Sequence, residues 1–232
     1  MRKTYAILVI FNLLYSVTDA QYLTYTRYEL LRQGGLQADA KGLDSQYDDI
    51  KGNPWYSTRW LPARISTTQG KLDDNMRLKY DTYTNKIYAL INDTVYDLSA
   101  TSVKRFQLYP NFPDTITRTV FQKGFVSADI KSEQFLQVLT EGNVSFLKLQ
   151  ILQIKEVHED ALTTTKKFIS QDYFYIVQKN GQGDGIKLNR ATLEQQTRDK
   201  WTAVSAFLKA KDLSASTEEG WSAGIAYYNT LP

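Results

Sequence analysis

Val157-His158-Glu159-Asp160 holds the chain's one histidine, and an imidazole beside two carboxylates is where acid–base or metal chemistry would first be sought. A zinc site needs three or four ligands at a recognisable spacing such as His-Glu-x-x-His, and there is no second histidine and no cysteine to supply it. His158 is therefore expected to be a solvent-exposed turn residue. The lack of cysteine also excludes thiol catalysis, and Gly-x-Ser-x-Gly, the strained elbow that presents a serine nucleophile, does not occur. Paired acids remain, since a glycosidase needs only two carboxylates roughly 5–10 Å apart. Asp48-Asp49 and Asp73-Asp74 are adjacent, and neighbours on a strand point to opposite faces. Both pairs read as solvated charges. Asn180-Gly181-Gln182-Gly183-Asp184-Gly185 lacks the terminal glutamate of a calcium loop and the Gly-Lys-Ser/Thr of a phosphate loop, so it reads as a glycine-rich hairpin. No catalytic residue, metal ligand or cofactor is expected.

Trp55, Tyr56 and Trp60 are the tentative binding residues. They surround Gly52-Asn53-Pro54 and precede Pro62, and loops on a rigid sheet are where binding residues concentrate. Their rings suit stacking on a sugar or anchoring a partner protein. The same rings can plug a barrel end or cover a sheet edge.

The elements that hold these residues are strands joined by tight turns. Ala63–Thr67 and Lys71–Leu78 flank Thr68-Gln69-Gly70 as a hairpin. Met76, Leu78 and Tyr80 alternate with Arg77, Lys79 and Asp81, the period of a strand with one wet face. Lys86–Ile91 and Thr94–Leu98 flank Asn92-Asp93, residues that tolerate the positive φ of a two-residue turn; Tyr88 and Tyr96 are placed for cross-strand pairing, while Tyr83 falls in a wet turn. Val103–Tyr109, Val120–Val126, Gln134–Leu139, Val144–Ile154 and Tyr173–Gln178 continue the series. Residues 191–210 carry a helical period with a break near Thr197, and Ser216-Thr217-Glu218-Glu219 is a capping box in which the serine caps a last helix whose Trp221, Ile225 and Tyr228 share one face. The expected fold is mainly β, an α+β antiparallel meander curled into a partial barrel or sandwich with C-terminal helices. One domain spans 21–232, its β-rich body over about 55–189 and its helical part over about 190–232.

The N-terminus has the layout of a cleaved secretory signal over residues 1–20: Arg2 and Lys3, an apolar run from Ala6 to Leu14, and small residues ending at Ala20. That run is shorter than the ~20 residues a transmembrane helix needs, and no later segment is apolar enough to span. The chain carries 28 basic and 25 acidic residues, a balance that argues against nucleic acid, where a clustered basic excess is expected. Zero cysteines in an exported chain of this size favours a bacterial envelope over an animal secretory route, and the sequons at Asn92 and Asn143 then read as turns.

Gly52-Asn53-Pro54-Trp55-Tyr56, Arg77-Leu78-Lys79-Tyr80-Asp81, Val103-Lys104-Arg105-Phe106, Tyr173-Phe174-Tyr175-Ile176-Val177 with Asn180-Gly181, and the terminal Tyr227-Tyr228-Asn229, behind a signal ending Ala-Gln, together make a pattern that resembles a group of uncharacterised exported β-rich proteins of the Bacteroidota. Trp55 departs from the Gly-x-Pro-Tyr usual there. The resemblance implies an exported β-rich protein with a helical C-terminus, and it carries no catalytic residues over. The expected function is that of a non-enzymatic envelope protein, periplasmic or outer-membrane-associated, acting as a binding or assembly component with a protein partner. The alternative is a carbohydrate-binding module whose glycan stacks on Trp55, Tyr56 and Trp60. The third is a carboxylate hydrolase.

Overall fold

The computed structural model describes residues 30–68, 71–160 and 163–232, without the side chains of Asp44 and residues 71–75. The expected signal peptide, the Gln69-Gly70 turn tip and the side chains of Asp73 and Asp74 lie outside the described residues.

The protein is mainly β. Among the described residues twelve strands form one sheet: β1 (Leu36–Gln37), β2 (Ile50–Lys51), β3 (Leu61–Thr67), β4 (Lys71–Asp81), β5 (Lys86–Ile91), β6 (Thr94–Asp97), β7 (Val103–Leu108), β8 (Thr119–Gln122), β9 (Leu136–Thr140), β10 (Val144–His158), β11 (Thr164–Gln178) and β12 (Gly183–Ile186). The helices are α1 (Ala40–Ser45), α2 (Arg190–Thr197), α3 (Trp201–Ala210) and α4 (Glu218–Tyr228). The strand order is β1-β6-β5-β4-β3-β7-β8-β9-β10-β11-β12, antiparallel throughout except that β2 pairs β11 in parallel, and the sheet does not close on itself. Asn92 and Asp93 both have positive φ (47° and 61°), the geometry that lets two residues turn β5 into β6.

The sheet has to coil. β6 ends at Asp97 and β7 begins at Val103, although β5, β4 and β3 lie between them. In a flat sheet, strand spacings of about 4.8 Å put those ends ~19 Å apart, near the full reach of that connection at about 3.5 Å per residue. The connection makes a turn instead, with Thr101 N–H donating to the Leu98 carbonyl. Only a coiled sheet brings the two ends together. Coiling wraps one face around a core of Leu61, Ile65, Met76, Leu78, Tyr80, Phe106 and Phe121.

Asn85 pins the coil shut. It sits in the β4–β5 turn at φ 59°, a left-handed conformation that asparagine tolerates. Its Oδ1 accepts from the Tyr80 hydroxyl (3.1 Å) and from the Phe135 backbone N–H (3.0 Å), and its Nδ2 donates to the Glu133 carbonyl (2.8 Å). The turn is thereby tied to the segment entering β9. The Tyr80 ring meets Phe106, Phe121 and Phe135 with centroids 4.9–6.2 Å apart.

β10 and β11 form a hairpin of two 15-residue strands, where the sequence period suggested a second strand starting only at Tyr173. Lys166-Lys167 and Ser170-Gln171-Asp172 hide the earlier half, because a ribbon wet on both faces shows no apolar alternation. β2 grips this half: Glu159 accepts from Lys51 (2.8 and 2.9 Å) and pairs with Lys167 (2.9 Å). Hydrogen bonds from Lys51 and Lys167 hold the Glu159 carboxyl down at about 2. His158 lies exposed beside it, its Nδ1 2.9 Å from the Thr164 hydroxyl.

The helices pack on the start of β10 and the end of β11, where Leu193, Val204, Leu208, Trp221 and Ile225 cover Val144, Phe146 and Ile176. The break expected near Thr197 is a 3-10 turn over Arg198–Lys200. The α4 cap is Thr217 rather than Ser216: the Thr217 hydroxyl accepts from Gly220 N–H at 3.1 Å. A Cβ on Gly220 would lie 1.8 Å from the Ser214 carbonyl oxygen, so this corner admits only glycine. Asn229 acts like an extra strand residue, its side chain accepting from Val144 N–H (3.0 Å) and donating to its carbonyl (2.8 Å). β8 stops at Gln122, short of the expected Val126, which instead bridges to Gln182 beside β12.

Two outcomes follow from these anchors. Asn85→Ala is expected to destabilise by about 2–3 kcal/mol, because it strands the buried Tyr80 hydroxyl and the Phe135 amide. Asn85→Gly should lose nearly as much despite relieving the positive φ, which identifies the side chain as the cause; urea midpoints of both variants measure it. For Glu159 the folded pKa lies below the usual carboxylate value, so its contribution is complete above about pH 4.5 and disappears as the pH falls towards 2. Exchange of the Lys51 and Lys167 amides should accelerate across that window, and more so in low salt, where the pairs start out stronger.

Candidate functional site

Trp55 and Tyr56 continue the β3 side of β4. Trp55 bridges Asp81, Tyr56 N–H donates to the Tyr80 carbonyl (2.9 Å), and Thr82 N–H donates to that of Pro54 (2.9 Å). Successive residues of an extended segment face opposite ways, so Trp55 and Tyr56 lie on different sides of the sheet. The three aromatic candidates do not share a surface.

Trp55 and Trp60 lie on the outer side with Leu43, Tyr88 and Val95. The Lys79 ammonium sits over both rings, 4.5 Å from the centroid of Trp55 and 5.9 Å from that of Trp60. Trp55 also meets Tyr47 and Tyr88 edge to face and is buried, while Trp60 is half-buried. The face of β4 expected to be wet is so only at Arg77, which is exposed; Lys79 is 6 % exposed and Asp81 0 %, so this end of the face is covered. Asp81 is satisfied by the Tyr47 hydroxyl (2.7 Å) and the N–H groups of Tyr83 (2.9 Å) and Thr84 (3.1 Å). Burial, reinforced by the Asp81 hydrogen bond, raises the Tyr47 phenol, and burial with the nearby Asp97 and Asp81 charges pushes Tyr88 up to about 12. Tyr88 and Tyr96 also part company. Tyr88 is opposite Asp97 and packs beside Trp55, whereas Tyr96 is opposite Ala89 and packs on the inner core. Tyr83 is partly exposed in its turn and meets Tyr47 and Phe168 at 5.9 and 5.3 Å.

Tyr56 faces the inner side, where its hydroxyl lies 2.6 Å from that of Thr119 and its ring 5.1 Å from Phe121. There it helps line a cavity of about 120 Å³ with Tyr80, Thr82, Phe121, Phe135, Gln137, Lys148 and Gln150. The aromatic floor is fixed by the Tyr80 cluster, and the Tyr80 hydroxyl is turned away to Asn85. The polar wall comes from β9 and β10, where Gln137 stands opposite Lys148. Lys148 pairs with Asp172 at 2.8 Å and Glu218 at 3.0 Å. Burial acts to lower this ammonium, but the two carboxylates together outweigh it and raise its pKa. Gln150 Nε2 donates to Asp172 Oδ1 at 3.3 Å.

Sequence reading did not find Gln137, Lys148 or Gln150. One signal was available: Phe146, Lys148, Gln150, Leu152 and Ile154 share a parity on β10, and two polar residues interrupt an otherwise apolar face. A shallower groove of about 660 Å³ lies along α3, lined by Trp201, Ser205, Lys209 and Leu213 among others. Among the described residues no group of three His, Asp or Glu side chains is placed to hold a metal, and no helix is long and apolar enough to cross a membrane. No family model, curated protein or solved structure matches the chain.

Trp55→Ala is expected to cost about 3–5 kcal/mol, as for a large buried ring. A cycle with Lys79→Met should show coupling of about 1 kcal/mol for the cation over the ring, measured by chemical denaturation.

Proposed function

We propose that the protein is an exported, non-enzymatic binding or assembly component of the cell envelope, periplasmic or outer-membrane-associated, which takes an extended segment of a partner protein along the free edge of β10. The observation that carries this reading is the length of β10 beyond its neighbour. β9 pairs with it only as far as Lys148, and from Leu149 to His158 no strand among the described residues covers that edge. About 30 Å of ladder is left with open backbone groups.

Folded proteins guard such edges with prolines, bulges, charged side chains or short strands, and the charges on this stretch are Lys155 and Glu156. β10 has no proline here, its pairing to β11 runs without a bulge from Val144 to His158, and Ile151, Leu152, Ile154 and Val157 are only half-buried. An added strand would complete the backbone bonds and seat its side chains over these apolar positions, as in β-augmentation. The Glu159 clamp holds the hairpin rigid for docking. Export is supported by the basic, apolar and small-residue order of residues 1–20.

A photo-crosslinking residue at Ile154 or Val157 in cells is expected to give one discrete protein adduct, in a chain that begins at Gln21. Ile151→Lys should remove the adduct without lowering expression. Absence of any adduct, or equal adducts from a control position at Lys211 on the far helical end, would contradict the reading.

A further inference from the structure

The cavity between Tyr56 and Gln150 has the attributes of a site rather than a packing gap. Its residues come from five segments: Tyr56, the end of β4, β8, the start of β9 and the middle of β10. At about 30 Å³ per water its volume equals roughly four waters. That is below the size of a whole drug-like ligand and suits one small group entering from one side.

The chemistry of the lining restricts that group. The floor is apolar and rigid, with Tyr80, Phe121 and Phe135 each no more than 5 % exposed. On the wall, the Gln137 amide makes no hydrogen bond among the described residues, leaving a donor and an acceptor free. Gln150 is oriented by Asp172 through its Nε2 and keeps its carbonyl free. Lys148, Asp172 and Glu218 together carry one net negative charge, which disfavours carboxylate or phosphate ligands. A group with a methyl, an N–H and a carbonyl and no charge matches all three features.

We propose that this cavity binds the acetamido group of an N-acetylated sugar: its methyl on the Tyr80, Phe121 and Phe135 floor, its amide between Gln137 and Gln150, and its ring against Tyr56 at the mouth. A sugar is favoured over an acetylated or extended peptide because the Tyr56 ring stands beside Gln137 and Gln150, an arrangement that can stack on a pyranose while the amides bond its substituent. Peptide recognition by strand addition draws on main-chain bonds along a sheet edge, and of the lining residues only Gln150 lies on the open edge of β10. The proposal is independent of the strand-edge reading and of stacking on Trp55 or Trp60.

The test is titration of the isotopically labelled full chain by NMR with N-acetylglucosamine, and with glucose, sodium acetate and Nε-acetyllysine as comparisons. The expected result is saturable movement of the Gln137 and Gln150 side-chain amide signals with N-acetylglucosamine, and affinities at least tenfold weaker for the other three. Gln137→Met, which keeps the length of the side chain, should weaken N-acetylglucosamine at least tenfold while leaving the remaining spectrum in place. No saturable shift in the wild-type chain would overturn the site. Glucose binding as well as N-acetylglucosamine would overturn the acetamido assignment, and Nε-acetyllysine binding as well would overturn the sugar.

Discussion

The fold depends on what holds a coiled but unclosed sheet in its curl. A barrel closes by pairing its first and last strands, and this one does not. The work is done by Asn85, whose amide reaches from the β4–β5 turn to Glu133 and Phe135 and also receives the Tyr80 hydroxyl. Around that polar point Tyr80, Phe106, Phe121 and Phe135 meet edge to face, tilted or stacked, and edge-to-face and offset-stacked pairs gain energy beyond the area they bury. The cavity floor is the same cluster seen from its open side, so closure and site share their residues.

β4 shows how one strand can serve two cores. Its inward residues Met76, Leu78 and Tyr80 line the coil, while Lys79 and Asp81 on the other parity lie beneath Tyr47, Trp55 and Trp60. A buried lysine and aspartate are tolerable only when paired or hydrogen-bonded. Here the aromatic faces and the Tyr47 hydroxyl supply that, so Tyr47, Trp55 and Trp60 serve as the cover of β4. The open ladder of β10 and the inner cavity are the surfaces proposed for recognition.

Much of the strand series was legible in the chain because alternation and turn residues act locally. Asn92-Asp93 set the β5–β6 turn, and the break at Thr197 and the last helix lie where the period placed them. The wet half of the β10–β11 hairpin was not legible, since a ribbon solvated on both faces carries no apolar period. Lys79 and Asp81 read as exposed for a related reason: their cover arrives from residues far away in sequence. Tyr56 was legible as an aromatic near a turn. Its separation from Trp55 follows from strand parity once the pairing with β4 is known. Lys148 and Gln150 share a legible parity on β10, but Gln137 joins them only through the register of β9 on β10, which no local pattern encodes.

The central claim is that Asn85 makes the curl part of the global fold. It is tested most directly by native-state hydrogen exchange at the Phe135 amide, the donor to Asn85 Oδ1. If the junction closes the coil, this loop amide exchanges only by global unfolding, with the same free energy and denaturant dependence as the β3–β4 ladder. Exchange by local fraying, independent of denaturant and far faster than that ladder, would contradict the account.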